Sequence, residues 1–463
     1  MRLKTTSLIV LPLLLLFAVE SRADRIDQYV RAQMEQRHVP GVAIAVVRAG
    51  RVVKARGYGL ASVEHNVAVT PETVFEIGSV SKQLTAAAIM LLVEEGKVEL
   101  DAPVGRYVPE APPAWSGVTV RHLLTHTSGL RNYTGLTGFE LTERLTRAEF
   151  VRRISQHPSN FAPGASWSYG NTNYNLLGFI IEAASGRPYW QFMRERIFRP
   201  LGMNSTADRD PKYVIRHRAS GYEWQQGALT GRDYDLTDVF SAGAIVSTVL
   251  DLARWDAALY DERLLRRASL EQIWTPVSLT DGSTRPYGFG WYVENFRGAR
   301  RVRHNGQTAG FAASIARYTD ERLTLIVLTN LGDLGLGGEI ALGLAKLYLP
   351  SISLRRLPTR TDLVDSRTTQ RLEQVLRARL AGRLDAREWT ADARAALSTD
   401  GERRWQRLAS FGALTSFAPV SAETTNGRRV LRYKAALGAA RFLLVRFALA
   451  EEGIAEMAVE EEE

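Results

Sequence analysis

Hydrophobic positions along the chain predict strands near both ends of a first domain, with helices between them. An apolar run over 42–47, a turn over 48–50 and a strand over 51–58 form a hairpin pattern. A long helical pattern begins at Ser79 and ends at Gly96, a residue suited to the position after a helix. The other signals are those of a helix over 25–38, strands over 288–293, 301–303, 311–318 and 323–329, and a helix over 338–349. This order predicts an antiparallel sheet built from both ends of the domain, with helices packed on it.

The character of the chain changes near Pro350. Residues 351–366 are polar and contain Pro358, and this composition predicts a linker. A helical stretch over 367–408 comes next, and after it strand-like runs over 412–417, 429–435, 440–448 and 454–459. The predicted fold class is therefore α+β. We expect a domain over 24–350, with an antiparallel sheet, flanking helices and a helical subdomain, followed by a small α+β accessory domain over 367–463.

The N-terminus has the pattern of a signal peptide. Arg2 and Lys4 precede an apolar run over 8–19, which is shorter than the roughly 20 apolar residues of a membrane span. Small residues follow at Ser21 and Ala23, as at a cleavage site. We expect residues 1–23 to be a signal peptide cleaved after Ala23, no stable membrane span afterwards, and a periplasmic or secreted protein. The alternative interpretation is an uncleaved membrane anchor.

Charge and composition exclude several classes of function. The formal net charge is +9 over 463 residues, but no run of five or six like positive charges occurs, so we expect no nucleic-acid partner. The chain has no cysteine, which excludes disulfides, thiol catalysis and Cys-ligated zinc. His122 and His126 have a spacing that can hold zinc. No third ligand accompanies them, and we interpret the pair as structural, with no metal and no cofactor.

The segment Ser79-Val80-Ser81-Lys82 is the only Ser-x-x-Lys in the sequence. Because three residues make almost one helical turn, Ser79 and Lys82 share a face. The N–H of Ser79 at the helix N-terminus could stabilise an oxyanion, and burial would lower the pKa of Lys82, as a general base requires. The alternative is that Ser79 caps the helix and Lys82 lies at the surface.

Two further motifs supply polar groups that such a site needs. A Tyr-x-Asn motif at Tyr169 and Asn171 precedes another helix; the tyrosine hydroxyl could transfer a proton, and the amide could hold a substrate carbonyl. His304 and Gly306 lie between two strand signals, where a glycine lets substrate approach an edge strand. The N–H of Gln307 could complete an oxyanion hole. Taken singly, these motifs also fit a core tyrosine, a capping asparagine and an ordinary hairpin.

The three motifs, in this order, resemble the serine β-lactamase-related superfamily, and above all its class C branch. That branch includes D-Ala-D-Ala carboxypeptidases, D-aminopeptidases and some esterases. The resemblance covers about residues 25–350 and includes the segments 75–79, 122–130, 200–203 and 247–252. It implies a β-lactamase/transpeptidase-like fold and a covalent acyl-enzyme.

The resemblance also implies a role for each motif residue. Ser79 would be the nucleophile, Lys82 its general base partner, Tyr169 a second proton-transfer residue, and Asn171 a contact to the substrate carbonyl. Substrate would also contact His304, Gly306 and Gln307.

The sequence departs from the family at the third motif. His304 stands where many members have lysine, and Asn305 stands in place of threonine. A protonated His304 could partly replace the lysine in holding a substrate carboxylate. The expected substrate is a small molecule or peptide, with peptidoglycan fragments among the candidates: a β-lactam, a D-amino-acid peptide or an ester. Two alternatives stay open, namely a carboxylesterase or D-aminopeptidase without β-lactamase activity, and a penicillin-binding sensor module with little turnover.

Overall fold

The computed structural model describes residues 22–140, 143, 145–232, 234–333, 335–395, 399–425, 427–438 and 441–462. Most of the predicted signal peptide, residues 1–21, lies outside the described residues. The helices are α1 (Arg22–Arg37), α2 (Ser81–Glu94), α3 (Val120–Leu124), α4 (Arg147–Ser155), α5 (Asn171–Ser185), α6 (Tyr189–Met193), α7 (Phe240–Gly243), α8 (Val249–Ala258), α9 (Arg267–Ile273), α10 (Leu336–Tyr348), α11 (Ser366–Leu380), α12 (Ala391–Ala395) and α13 (Thr399–Ala409). None of these helices is both long and apolar enough to cross a membrane.

The strands are β1 (Gly41–Arg48), β2 (Arg51–Ser62), β3 (Val67–Ala68), β4 (Phe75–Glu76), β5 (Ala207–Asp208), β6 (Tyr222–Gln225), β7 (Ala228–Gly231), β8 (Ile245–Ser247), β9 (Val277–Ser278), β10 (Thr284–Arg285), β11 (Tyr292–Phe296), β12 (Ala299–Thr308), β13 (Phe311–Tyr318), β14 (Leu323–Thr329), β15 (Leu414–Thr425), β16 (Arg428–Leu437), β17 (Arg441–Ala450) and β18 (Gly453–Glu462). A seven-stranded sheet has the order β11-β12-β13-β14-β1-β2-β3. The sheet predicted from both ends of the domain is thereby confirmed.

The central strands are apolar because both faces of the sheet are covered. Every residue of β13 and β14 is buried, and so is every residue of β1 except Arg48. One hydrophobic cluster joins one face of the sheet to α1 and α10, and a second joins the other face to α2 and α8. Continuous apolar runs, instead of alternation, are what strands buried on both faces require.

In the sequence, the helical subdomain lies between the strands β1–β3 and β11–β14, and α2 is at its centre. Twelve consecutive residues of α2, Ser81 to Leu92, are buried. A single 3-10 turn, Gly78–Val80, precedes the helix, and Gly96 ends it with a φ of +70°. Because α2 is enclosed, any polar side chain on it must find its partners inside the protein.

The C-terminal part of the chain forms a meander of four strands, β15-β16-β17-β18, with α11 and α13 packed against each other beside it. Its strands alternate, as β16 does with buried Leu431, Tyr433, Ala435 and Leu437. These residues belong to a hydrophobic cluster separate from the clusters of the larger sheet. The strands extend beyond the apolar runs in the sequence because their other face carries polar residues.

Two strands differ in extent from their sequence signals. Over 288–293 the pattern predicts a strand that the structure begins only at Tyr292. The short signal over 301–303 belongs to a strand that continues to Thr308. The second half of this strand consists largely of polar and glycine residues, so the hydrophobic pattern does not predict it. It contains the third motif, which therefore lies within a strand.

A buried ion cluster joins the two parts of the chain. Arg297, at the tip of the β11–β12 hairpin, is 3% exposed and donates hydrogen bonds to the carboxylates of Glu460 and Glu462 and to the carbonyl of Ile352. Glu462 also accepts from the hydroxyl of Ser353. Burial raises the pKa of Glu462, but the hydrogen bonds of Ser353 and its other partners outweigh burial, and the net pKa is lowered.

We predict that Arg297→Met weakens this junction by up to about 3 kcal/mol, because it leaves the buried carboxylate of Glu462 with Lys346 as its remaining cation. Limited proteolysis near residues 351–366 and thermal unfolding should both report it. A lowered pKa means that Glu462 stabilises the junction above its ordinary pKa of 4.5 and that this contribution is lost as pH falls through the lowered value.

The control for this prediction is Arg446→Met, which breaks a more exposed ion pair with Glu456 in the same small domain. It should leave proteolysis near the junction unchanged. Equal effects of the two substitutions would contradict the role given to Arg297.

Candidate active site

Ser79 lies at the point where the chain turns from a short strand into the central helix. β4 pairs with β8, and the N–H of Ile77 donates to the carbonyl of Ile245 at 3.0 Å. Gly78 then adopts a φ of +50° and starts the 3-10 turn that leads into α2. Ser79 is partly exposed, whereas its neighbours Gly78 and Val80 are buried. The serine is therefore the group of this turn that a substrate can reach.

The amine of Lys82 touches three oxygen atoms. Its Nζ lies 3.0 Å from the hydroxyl of Ser79, 2.8 Å from Oδ1 of Asn171 and 2.8 Å from the carbonyl of Ala242. The two carbonyl oxygens can only accept hydrogen bonds. The hydroxyl of Ser79 can accept or donate. The three contacts therefore fit an ammonium that donates three hydrogen bonds, and they equally fit a neutral amine that gives its two hydrogens to the carbonyls and turns its lone pair toward Ser79.

Burial explains why that neutral form is favoured. Lys82 is fully buried, and burial lowers its pKa well below the ordinary 10.5. Among the described residues, no carboxylate hydrogen-bonds or pairs with it, and its closest rings are those of Tyr169 and Tyr174, at 4.8 and 5.5 Å. A buried ammonium needs a counter-ion. Because the described residues provide none for Lys82, the neutral amine is favoured.

Tyr169 and Asn171 reach the same place from the start of α5. Burial raises the pKa of Tyr169, and the neighbouring Ser79 opposes this shift. No hydrogen bond of regular geometry reaches the buried Tyr169 hydroxyl from the described residues. The N–H of Asn171 donates to Oδ1 of Asn132, and its own Oδ1 accepts from Lys82. The carbonyl end of this amide is therefore engaged with the lysine.

His304 is buried on β12 and is uncharged. Its Nδ1 lies 2.6 Å from the carbonyl of Asn305, so Nδ1 carries the proton, and Nε2 accepts from the hydroxyl of Tyr287 at 3.1 Å. Burial, together with any charge on Lys82, lowers the pKa of His304 to about 3. This low pKa disfavours the protonated His304 that was expected to hold a carboxylate, because desolvation opposes the charge.

The side chain of Asn305 points away from the site. Its Oδ1 accepts from the hydroxyl of Ser314 on β13 at 3.0 Å, and Gly338 of α10 leaves room for it. Successive strand residues face opposite sides, so Asn305 faces α10 while His304 faces the tyrosines. The asparagine in place of threonine therefore changes the packing under α10 and not the surface next to Ser79.

Two glycines let β12 approach the turn that carries Ser79. A side chain on Gly306 would place its Cβ 1.9 Å from the carbonyl oxygen of Ile77 and 3.1 Å from the backbone nitrogen of Ser79. A Cβ on Gly78 would lie 2.7 Å from the nitrogen of Gln307. The backbone N–H groups of Ser79 and Gln307 therefore lie along one seam, where they can converge on one substrate oxygen.

The sequence motifs did not predict several groups that lie at the site. The carbonyl of Ala242 and the phenol of Tyr287 come from loops and short elements without a motif of their own. His126, already noted with His122, is buried, with its ring 4.4 Å from that of Tyr169. A His next to a Thr-Ser-Gly turn was the available signal for it.

The spacing of His122 and His126 serves structure. The ring of His122 accepts from the N–H of Thr119 at the start of α3, and Nδ1 of His126 lies 3.0 Å from the side-chain amide of Asn173. Within the described ranges, no group of three or more His, Asp or Glu side chains could hold a metal ion.

The comparisons agree with one another. The β-lactamase family model matches residues 26–346. The chain is 33% identical to penicillin-binding protein 4* of Bacillus subtilis (strain 168), over 64% of this chain and 69% of that protein. Its fold is similar to the octameric penicillin-binding protein homologue from Pyrococcus abyssi, with a TM-score of 0.65, 25% identity and 95% of both chains covered.

A second solved structure, D-amino acid amidase from Ochrobactrum anthropi SV3 with L-phenylalanine amide, has a TM-score of 0.64 and 26% identity. It covers 72% of this chain and 99% of the amidase, so its match is to the larger domain. The family model alone spans more than half of the sequence. The chain therefore belongs to the β-lactamase family, whose fold is that of the serine β-lactamases and penicillin-binding proteins.

Proposed function

We propose that this protein is a serine hydrolase that cleaves an amide or ester bond through an acyl-enzyme on Ser79. The observation that carries the proposal is the fully buried amine of Lys82, which contacts two carbonyl oxygens and lies 3.0 Å from the hydroxyl of Ser79. Membership of the β-lactamase family supports the same reaction. No other serine in the motif has such a partner, since the hydroxyl of Ser81 accepts from the N–H of Ile245.

In the first step, Lys82 takes the proton of the Ser79 hydroxyl while its oxygen attacks the substrate carbonyl. The carbonyl oxygen becomes an oxyanion and receives hydrogen bonds from the backbone N–H groups of Ser79 and Gln307. One such donor is typically worth roughly 3 kcal/mol of barrier. Collapse of this intermediate expels the leaving amine or alcohol and forms the ester of Ser79.

Tyr169 is suited to give the leaving group its proton. Its raised pKa keeps the phenol protonated at neutral pH, while the lowered pKa of Lys82 keeps the amine free. Two neighbouring groups whose pKa values are pushed apart in this way can act as acid and base. The proton on Lys82 then returns to the Tyr169 oxygen. Water repeats the sequence on the acyl-enzyme and releases the acid.

We further propose that the substrate is the amide or ester of a D-amino acid, with no carboxylate next to the scissile bond. His304 is uncharged where many members of the family have a lysine, so it offers no cation to such a carboxylate. The similarity to a D-amino acid amidase favours this class over β-lactams. Export by the N-terminal signal pattern is part of the proposal and would bring the enzyme to extracytoplasmic substrates.

Ser79→Ala should abolish covalent labelling by a fluorophosphonate probe, because the attacking oxygen is gone. In-gel fluorescence and intact-protein mass spectrometry measure it. The matched control is Ser81→Ala, two residues away on the same turn, which should keep the label. Labelling that survives in the first variant would assign the nucleophile elsewhere.

Lys82→Met should slow acylation by roughly 10³-fold or more, since it keeps the shape of the side chain but removes the lone pair. In the unaltered protein, the acylation rate should fall as pH falls through the lowered pKa of Lys82 and should already be high well below pH 10.5. Stopped-flow labelling between about pH 5 and pH 10 measures both. Lys97→Met, at an exposed lysine just beyond α2, is the control. A rate limb near the ordinary lysine pKa would contradict a neutral base.

The substrate class can be tested with one pair of compounds, D-Ala-D-Ala and its C-terminal amide, which differ by a single charge. We expect kcat/KM to favour the amide by about tenfold, because no cation meets the carboxylate. His304→Lys should shift the preference toward the free acid. A preference for the free acid in the unaltered protein would contradict this substrate class, and acylation without release would contradict a hydrolase.

A further inference from the structure

Glu76 lies three residues before Ser79 and is buried in an ion pair. It is 2% exposed, and its Oε1 accepts from Nε of Arg209 at 3.0 Å, with Arg209 5% exposed. Isolated buried charges are costly, so each needs the other in place. The pair belongs to neither the proton transfer nor the oxyanion hole described above.

The second oxygen of Glu76 reaches the other side of the site. Its Oε2 accepts from the hydroxyl of Thr308 at 2.7 Å. Thr308 is the last residue of β12 and directly follows Gln307. One carboxylate therefore bridges the segment that leads to Ser79 and the strand that carries Gln307, the two proposed sources of oxyanion-hole N–H groups.

Arg209 extends the bridge to a third segment. It directly follows β5, which pairs with β8 in the same three-stranded sheet as β4. The N–H of Arg209 donates to the carbonyl of Ala244 at 2.8 Å. Ala244 lies two residues after Ala242, whose carbonyl holds the amine of Lys82. The ion pair of Glu76 and Arg209 is thus also linked to the backbone segment that supplies Ala242, an acceptor for the amine of Lys82.

We propose that Glu76, with Arg209 and Thr308, is a positioning group that sets the distance between the two N–H donors of the oxyanion hole. The proposal rests on the acyl-enzyme function given above. No covalent bond between these segments fixes the spacing, and the glycine contacts at Gly78 and Gly306 limit only how close they come. The bridge from Glu76 to Thr308 holds the two segments together.

The chain offers a matched control, because a second buried group has the same chemistry. Asp256 accepts from Nε of Arg317 at 2.6 Å and from the hydroxyl of Thr324 at 2.8 Å. Thr324 lies near the start of β14 and pairs with Arg317 of β13. This is the end of the strands that lies away from Gly306 and Gln307. Both triads consist of a threonine, a carboxylate and an arginine, but only one of them joins the two sides of the seam.

The test compares Thr308→Val, Thr308→Ser and Thr324→Val in the full chain. Valine keeps the shape and strand preference of threonine and removes only the hydroxyl, whereas Glu76→Ala would strand a buried arginine and could prevent folding. Stopped-flow acylation by a p-nitrophenyl ester gives the maximal rate and the half-saturating concentration separately. Thermal unfolding of each variant reports the structural cost.

We expect Thr308→Val to lower the maximal acylation rate by about tenfold with little change in half-saturation, since oxyanion contacts act in the transition state. Thr308→Ser should restore most of the rate. Thr324→Val should lower the melting temperature and leave the rate unchanged. The pH dependence of acylation should stay the same in all three, because Lys82 is untouched.

Three results would overturn the proposal: an unchanged rate in Thr308→Val, no recovery in Thr308→Ser, or an equal loss of rate in Thr324→Val. Absence of acylation in the unaltered chain would contradict the acyl-enzyme function and the positioning role with it. Acylation of the unaltered chain with an unaffected Thr308→Val would contradict the positioning role alone.

Discussion

The amine of Lys82 is removed from water and receives no carboxylate in exchange, and the chemistry of the site depends on that one constraint. A buried lysine with these neighbours is favoured as a free base. Asn171 and Ala242 accept its two hydrogens, so its lone pair has one direction left, toward Ser79. The same burial keeps the phenol of Tyr169 protonated. In the proposed reaction, one desolvated pocket therefore supplies both the base and the acid.

The β11–β12 hairpin carries the other half of the site and is held at both ends. At its tip, Arg297 is bound by the carboxylates of the last strand, β18. At the far end of β12, Thr308 is bound by Glu76. Gln307 lies between these anchors and next to the turn of Ser79. The small C-terminal domain thus contacts the hairpin that carries Gln307, the proposed oxyanion donor, although it lies outside the larger sheet.

Local pattern was enough to predict much of this arrangement. The spacing of Ser79 and Lys82 predicted that they share one face, and the amine of Lys82 lies 3.0 Å from the hydroxyl of Ser79. The buried strands of the sheet could be predicted from the sequence, because strands covered on both faces appear as long apolar runs. The second half of β12 could not be predicted, because its glycine and polar residues contact the turn of Ser79 and the site and do not form a hydrophobic face.

The protonation of His304 shows where sequence reasoning ended. A histidine next to a glycine is compatible with a cation at the surface or a neutral ring in the interior. Tyr287 and the carbonyl of Asn305 decide the tautomer, and enclosure lowers the pKa to about 3. From the sequence, Asn305 also appears to change the site. In the structure its side chain lies under α10, away from Ser79.

By itself, the sequence determined the family, the nucleophile motif and the order of the elements, because these depend on residue types at short, regular spacings. Only the tertiary structure decided which polar groups face one another and which are cut off from water. Charge state follows from those two facts. The carboxylate of Glu76 meets Thr308 across 232 positions of sequence, and only the closed sheet makes them neighbours.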